Sequence, residues 1–278
     1  MENKYSVLMS VYSKEKSEYL RAAMESMFAQ TVPCDEFVLV CDGPLNEGLD
    51  GVINEMDEKF GGRLRVIRIK ENVGLGNALN VGIKECKNEL IARMDSDDIS
   101  MADRCEKQLN IFVSDPSVAI VSGTIEEFIG STDHVVGARR LPETPESIIR
   151  YSRKRNPFNH PAVMLRKSEV EISGGYSEGY PLFEDYYLWI RMLERGYRGR
   201  NIDEPILMMR VSEDTYFRRG GKNYAENMLK FHKWMKDSKW TSCWDFLTGA
   251  IPHALICILP NKLRKTIYEL MRHSAQIS

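Results

Sequence analysis

Three carboxylates fall within four positions, Asp95, Asp97 and Asp98, directly after the apolar run Ile91-Ala-Arg-Met94 and with Ser96 among them. Carboxylate oxygens are hard donors. Grouped this closely they suit Mg²⁺ or Mn²⁺, ions that keep several waters and are shared between one or two carboxylates and the phosphates of a substrate. A β-branched, strand-like run ending in acids places them at a strand's carboxyl end, which is where open α/β sheets bind ligands. The same residues also read as a solvated turn ahead of a helix, since Asp and Ser are common caps.

Other polar groups are placed in the same way. Asp42-Gly43-Pro44 closes the apolar run Phe37–Cys41 and is a turn by composition, or else a carboxylate for a nucleobase or ribose. The segment Asn72-Val-Gly-Leu-Gly-Asn-Ala-Leu-Asn80 has glycines where a strand gives way to a helix, so its backbone N–H groups can approach a phosphate or simply form a helix cap.

These groups need a scaffold. Strand-length apolar runs recur at Tyr5–Met9, Phe37–Cys41, Leu64–Ile69, Leu90–Met94 and Val118–Ser122. Between them, Leu20, Ala23, Met24, Met27 and Phe28 keep helical spacing, as do Leu75, Ala78, Leu79, Gly82, Ile83 and Cys86. Alternation of this kind predicts βαβ units and a doubly wound, mostly parallel sheet. Its strand ends, at Ser10, Asp42 and Asp95, then converge along one rim.

The whole chain has 278 residues, 43% of them hydrophobic and 28% charged, with a net charge of −2; this is the balance of an ordinary enzyme and gives no general attraction to nucleic acid. Its six cysteines form no CxxC pair or metal-type spacing, and Met1–Lys4 lead straight into the first strand, so reduced thiols in a cytoplasmic protein are expected.

Five segments in order resemble the successive motifs of the inverting family 2 glycosyltransferases of GT-A fold, the kind that builds bacterial capsule and O-antigen polysaccharide. They are Ser6-Val-Leu-Met-Ser-Val-Tyr12 followed by Glu15, Val38-Leu-Val-Cys-Asp-Gly-Pro44, the Asn72–Asn80 segment, Ala92-Arg-Met-Asp-Ser-Asp-Asp98 and Glu184-Asp-Tyr-Tyr-Leu-Trp189. The resemblance implies that Asp42 contacts uracil or ribose, with the backbone of Val11 and Tyr12 across the base pocket. Glu15, Gly74, Asn77, Arg93 and Ser96 would complete the nucleotide-sugar site, Arg93 pairing with a phosphate or with a neighbouring carboxylate. Asp95 and Asp97 match the outer acids of an Asp-x-Asp motif, one toward the ribose and one on the metal, and either Asp97 or Asp98 is the ion's ligand.

Transfer to a hydroxyl also needs a base. Asp185 is the candidate, because two acids interrupt the aromatic and apolar run Leu182–Ile190 and partial burial raises a carboxylate's proton affinity. Glu184 and Asp185 also suit the first turn of a helix. By the same resemblance, His160, Glu184 and Trp189 are acceptor-side candidates, with His160 outside regular structure or satisfied by backbone. Arg218 and Arg219, beside Gly220-Gly221, form a basic loop able to close over a diphosphate.

The chain changes character near its end. Lys230, Lys233, Lys236 and Lys239 alternate with Phe231, Trp234, Met235, Trp240 and Trp244, and the run from Phe246 to Pro260 is almost entirely apolar before Lys262, Arg264 and Lys265. The pattern is that of a surface lying on a membrane, and the run is too short to span one. A helical appendage on a protein partner is the alternative. The expected organisation is a catalytic domain over residues 1–222, its nucleotide half ending near 125, and a helical region over 223–278.

The resemblance therefore implies a metal-dependent hexosyltransferase using Mn²⁺ or Mg²⁺. It would move galactose or glucose from a UDP-sugar to an undecaprenyl-diphosphate-linked saccharide, at the inner face of the cell membrane. A sugar nucleotidyltransferase is the first rival, but Lys14 and Lys16 do not make a triphosphate loop. A non-catalytic nucleotide-sugar-binding protein is the second.

Overall fold

A computed structural model describes residues 4–212 and 220–259, together with 263 and 267. The chain divides into two compact units, the first comprising Met1–Ser152, Asn156–Glu178 and Glu184–Arg210, and the second Arg153–Arg155, Gly179–Phe183 and Val211–Ser278.

The first unit opens with β1 (Tyr5–Val11), α1 (Ser17–Phe28), β2 (Glu36–Cys41), α2 (Glu47–Phe60), β3 (Leu64–Arg68), α3 (Leu75–Glu85) and β4 (Leu90–Asp95). It continues through β5 (Ile99–Ser100), α4 (Arg104–Ser114), β6 (Val118–Phe128), β7 (Val135–Arg139) and α5 (Pro145–Tyr151). It ends with β8 (Met164–Arg166), α6 (Lys167–Ile172), α7 (Glu184–Glu194) and β9 (Arg198–Arg210). Every residue of β2 is buried, as expected of a strand covered by helices on both faces. On α1 the buried set is Leu20, Ala23, Met24, Met27 and Phe28, the face its spacing predicts.

The strands form one sheet in the order β3-β2-β1-β4-β8-β6-β9-β5, with β7 on β6. β1 pairs in parallel with β2 and β4, and β2 with β3. β8 is antiparallel to both β4 and β6, so β6 runs with β4, and β9 is parallel to β6. Only β5, β7 and β8 run against the rest, so the expected mostly parallel sheet holds. The chain winds outward from β1 to β3 and then returns to lay β4 on the other side of β1. That reversal is a topological switch point, and the carboxyl ends of β1 and β4 flank its crevice.

A buried arginine ties the site-bearing strand to its neighbour. Arg104 is fully buried on α4 and donates to the carbonyls of Arg93 (2.6 Å) and Val163 (3.3 Å), while Gln108 Oε1 accepts from its Nε at 3.1 Å. Desolvation lowers its pKa, with no carboxylate bonded to it among the described residues; these neutral acceptors satisfy the guanidinium instead.

The second unit is helical where it is described. Helix Lys222–Asp237 buries Ala225, Met228, Phe231, His232 and Met235. Phe183 stacks on Phe231 with centroids 5.3 Å apart, and Tyr180 meets the same ring edge-on at 5.6 Å. Ser242 caps the next turn through Asp245 N–H, and helix Ile251–Ile258 turns Ala254 and Cys257 inward. None of the described helices is long and apolar enough to cross a membrane.

On α3, Asn80 clamps the backbone of Tyr176: its Nδ2 donates to the Tyr176 carbonyl and its Oδ1 accepts the Tyr176 N–H, both at 2.8 Å. The preceding Gly175 has φ +61°, and a Cβ there would lie 2.6 Å from Asn80 Oδ1. Gly175→Ala should therefore lower stability by roughly 1–3 kcal/mol, read as a lower urea midpoint with an unchanged slope.

Candidate active site

Asp95, Asp97 and Asp98 meet at the carboxyl end of β4, each offering an oxygen within 4.8 Å of the others. Arg93, two residues earlier and 2% exposed, forks both terminal nitrogens onto the Asp95 carboxylate, with Nη1 to Oδ2 at 2.9 Å. It thus takes the carboxylate alternative here. Asp98 is 2% exposed; its Oδ1 accepts the Arg210 N–H at 2.8 Å, and its Oδ2 has no partner among the described residues. Ser96 donates to Glu15 Oε2 at 2.7 Å, which brings a fourth carboxylate beside the cluster.

Neither Asp97 nor Asp98 has an ion pair among the described residues, and the electrostatic consequence is large. Burial, then the charges of Asp95 and Glu15, push the Asp97 carboxyl up to about 7. Burial, then Asp95 and Asp97, push Asp98 well above the usual carboxylate range. Hard oxygens in excess of local positive charge, with Asp98 Oδ2 left bare, fit a divalent cation.

Arg210 braces this turn from the end of β9. Its Nε donates to the Asp97 carbonyl at 3.0 Å and its guanidinium lies 3.9 Å over Tyr19 and 4.6 Å over Phe128. Nothing local in the sequence pointed to it, because it reaches the turn only through sheet pairing.

Asp42 pins the loop opposite. Its Oδ1 accepts Val73 N–H at 2.7 Å, and its Oδ2 accepts Gly74 N–H at 3.1 Å and Asn72 Nδ2 at 2.9 Å. Gly43 (φ +87°) permits the approach, since a Cβ would lie 2.8 Å from Asn72 N. Three of the carboxylate's acceptor positions are thereby used within the protein. The Asp42 N–H donates to the Val11 carbonyl at 2.8 Å, and Tyr12, 42% exposed, follows at the mouth of the crevice. Gly74 is the N-cap of α3, and Asn77 spends its amide on the Val73 carbonyl and Glu178.

Asp185 lines a pocket of about 40 Å³ with Leu75, Gly76, Leu79, His160, Tyr176 and Glu184. This volume admits a water or a hydroxyl group. Glu184 and Asp185 begin α7, as the helix-start reading expects. Burial raises the proton affinity of Asp185, offset in part by hydrogen bonds from Tyr186 N–H and from Asn156 Nδ2 at 2.7 Å. His160 lies in a single 3₁₀ turn, His160–Ala162, rather than outside regular structure, and its Nε2 meets Tyr176 Oη at 2.8 Å rather than a backbone group. Burial, then Arg93, hold that imidazole neutral by lowering its pKa well below the usual value. Trp189 is completely buried, so it cannot touch an acceptor; it packs edge-on beneath His160, Phe158 and Tyr176. Arg218 and Arg219 lie outside the described residues.

The model of glycosyl transferase family 2 matches residues 6–171, which hold β1 to β8, Asp42 and the acidic turn. The chain belongs to that family. This glycosyltransferase is 35% identical over 266 residues to the UDP-Gal:α-D-GlcNAc-diphosphoundecaprenol β-1,3-galactosyltransferase of Escherichia coli, covering 96% of this chain and 95% of that one. It is 34% identical over 268 residues to the amylovoran biosynthesis glycosyltransferase of Erwinia amylovora, covering 95% and 98%. A mannosyltransferase of Pyrobaculum calidifontis, solved with GDP-mannose and Mn²⁺, shares the fold with a TM-score of 0.62 at 17% identity, over 99% of this chain and 75% of that one. TarS of S. aureus, solved with UDP-GlcNAc, does so at 0.58 and 19%, over 81% and 64%. The glycosyltransferase thus has the GT-A fold expected from its motifs, and the nucleotidyltransferase alternative falls away.

The Asp97 carboxyl gives a stability test. Its folded-state pKa, about 7, lies above the unfolded value near 3.9, so the folded protein holds the proton longer and stability is lost as pH rises from about 4 to about 7. Asp97→Asn should raise the melting temperature of EDTA-treated protein at pH 8 by roughly 2–8 °C and abolish stabilisation by Mn²⁺, as followed by thermal denaturation.

Proposed function

We propose that this glycosyltransferase moves a hexose, galactose in the first instance, from a UDP-sugar to a hydroxyl of a lipid-diphosphate-linked saccharide in cell-surface polysaccharide assembly. The two relatives named above support the pathway, and the first of them supports the donor and the acceptor class. The observation that carries the mechanism is Asp185, a carboxylate of raised proton affinity facing a pocket of hydroxyl size.

In a single displacement, the acceptor oxygen attacks the anomeric carbon as its proton passes to Asp185, and the carbon's bond to the diphosphate oxygen breaks, with inversion. The neutral His160–Tyr176 pair walls the pocket without competing for that proton. Asp97 and Asp98 would hold the metal, with Asp95 directed to the ribose side by its Arg93 fork. A bound Mn²⁺ or Mg²⁺ supplies neutralisation of the departing diphosphate. Val11, Tyr12 and the loop pinned by Asp42 would frame the base, so Asp42 acts by shaping that wall as well as through any contact of its own.

The second unit would keep the enzyme at the lipid surface. Phe231 and Met235 are buried, so the Lys-and-aromatic helix is not the apolar face the sequence suggested. Trp244, Leu247, Leu255 and Ile258 are exposed instead along the helical stretch Cys243–Ile258. The exposed cations Arg153, Lys154 and Arg155 belong to the same unit and suit an anionic leaflet.

The deciding experiment offers purified enzyme a panel of UDP-sugars and a GlcNAc- or GalNAc-diphosphate-lipid, with Mn²⁺ or EDTA, and reads products by mass spectrometry. A metal-dependent product one hexose heavier is expected. Asp185→Asn should cut turnover by roughly 10²–10⁴-fold while retaining UDP binding, whereas unchanged turnover would leave the protein without its proposed base. For the lipid surface, a Leu247→Glu/Leu255→Glu variant should lose at least about tenfold in co-sedimentation with anionic vesicles; undiminished sedimentation would rule out this face.

A further inference from the structure

We propose that Asn156 is the positioning residue of the transfer reaction: its side-chain amide clamps one oxygen of Asp185 and so aims the other at the acceptor hydroxyl. The inference rests on Asp185 being the base.

Two hydrogen bonds define the amide. Phe158 N–H donates to Asn156 Oδ1 at 3.3 Å, which fixes the carbonyl end, so the NH₂ end is the one that faces Asp185 Oδ2 at 2.7 Å. Pro157 restricts the backbone of Asn156 to extended conformations, which makes the donor stiff. The Tyr186 N–H adds a further bond to the carboxylate from the start of α7. Asp185 is thereby held in one orientation before an acceptor arrives, which is the requirement for an efficient base.

The choice of a neutral donor matters as much as its place. Glu184 repels the ionised form from the adjacent position on α7, His160 and Tyr176 across the pocket carry no charge, and Arg93 acts from β4 while forked onto Asp95. A lysine or arginine at position 156 would hold Asp185 ionised and too weak to take a proton. An amide orients the carboxylate and favours its ionised form only moderately.

The test compares the pH dependence of kcat for the unmodified enzyme, Asn156→Ala and Asn156→Asp, with the KM for the UDP-sugar measured alongside. Removing a donor to the carboxylate raises its pKa, so Asn156→Ala should move the acid limb up by about one pH unit. It should also lower kcat at pH 7 by up to about tenfold, with activity returning at higher pH and donor KM unchanged. Asn156→Asp, which keeps the shape and so guards against a folding defect, should shift the limb further because a second carboxylate opposes ionisation. An unmoved acid limb in both variants, or a uniform loss of kcat at every pH, overturns the proposal. Asp185→Asn keeps the two levels apart. If it is inactive while the Asn156 variants show no shift, the positioning role alone falls; if it is active, the base assignment falls first.

Discussion

Asp95, Asp97 and Asp98 gather their oxygens within 4.8 Å of one another, Asp98 buried and the other two partly exposed. Like charges at that separation repel strongly unless something positive or polar answers them. The surrounding structure answers partially. Arg93 neutralises Asp95, the Arg210 N–H satisfies one oxygen of Asp98, and Arg104 holds the Arg93 carbonyl from below. Asp97 and the second oxygen of Asp98 are left with raised proton affinity. The residual negative potential is what a divalent ion would relieve, which is why the proposed mechanism seats the metal there.

The Asp185 pocket follows a different electrostatic plan. Around Asp185, His160 and Tyr176 are neutral and bonded to each other, Trp189 fills the space beneath them, and Glu184 adds a carboxylate beside it. Burial there serves one carboxylate. Under the proposed mechanism, a cluster that holds a cation and a base that takes a proton need opposite surroundings, and the first unit draws one from the end of β4 and the other from the start of α7.

Support for both sites comes from side-chain to backbone hydrogen bonds that fix loops. Asp42 fixes Asn72–Gly74, Asn80 fixes Tyr176, and Arg191 holds the carbonyls of Ser173 and Gly175. Each joins segments far apart in the chain, so the rim of the sheet is ordered by a few polar side chains as well as by its apolar core.

The sequence by itself determined the parallel half of the sheet, because buried strands and amphipathic helices write their periods directly into residue order: β1 to β4 and the buried face of α1 lay where the apolar residues put them. It also determined the acidic turn and the Glu184-Asp185 pair, since their residue types are costly to bury without purpose, and the order of five motifs carried the family. Tertiary structure alone decided the partners. Arg93 was legible as a cation on the rim, yet its fork onto the Asp95 carboxylate showed only in the fold; Trp189 looked like an acceptor contact and is core. Arg210, Asn80 and Asn156 carried no local signal, because each acts on a residue between 29 and 112 positions away. Periodicity reports which face of an element is buried, but a hydrogen bond between distant segments exists only once the sheet order has brought them within reach.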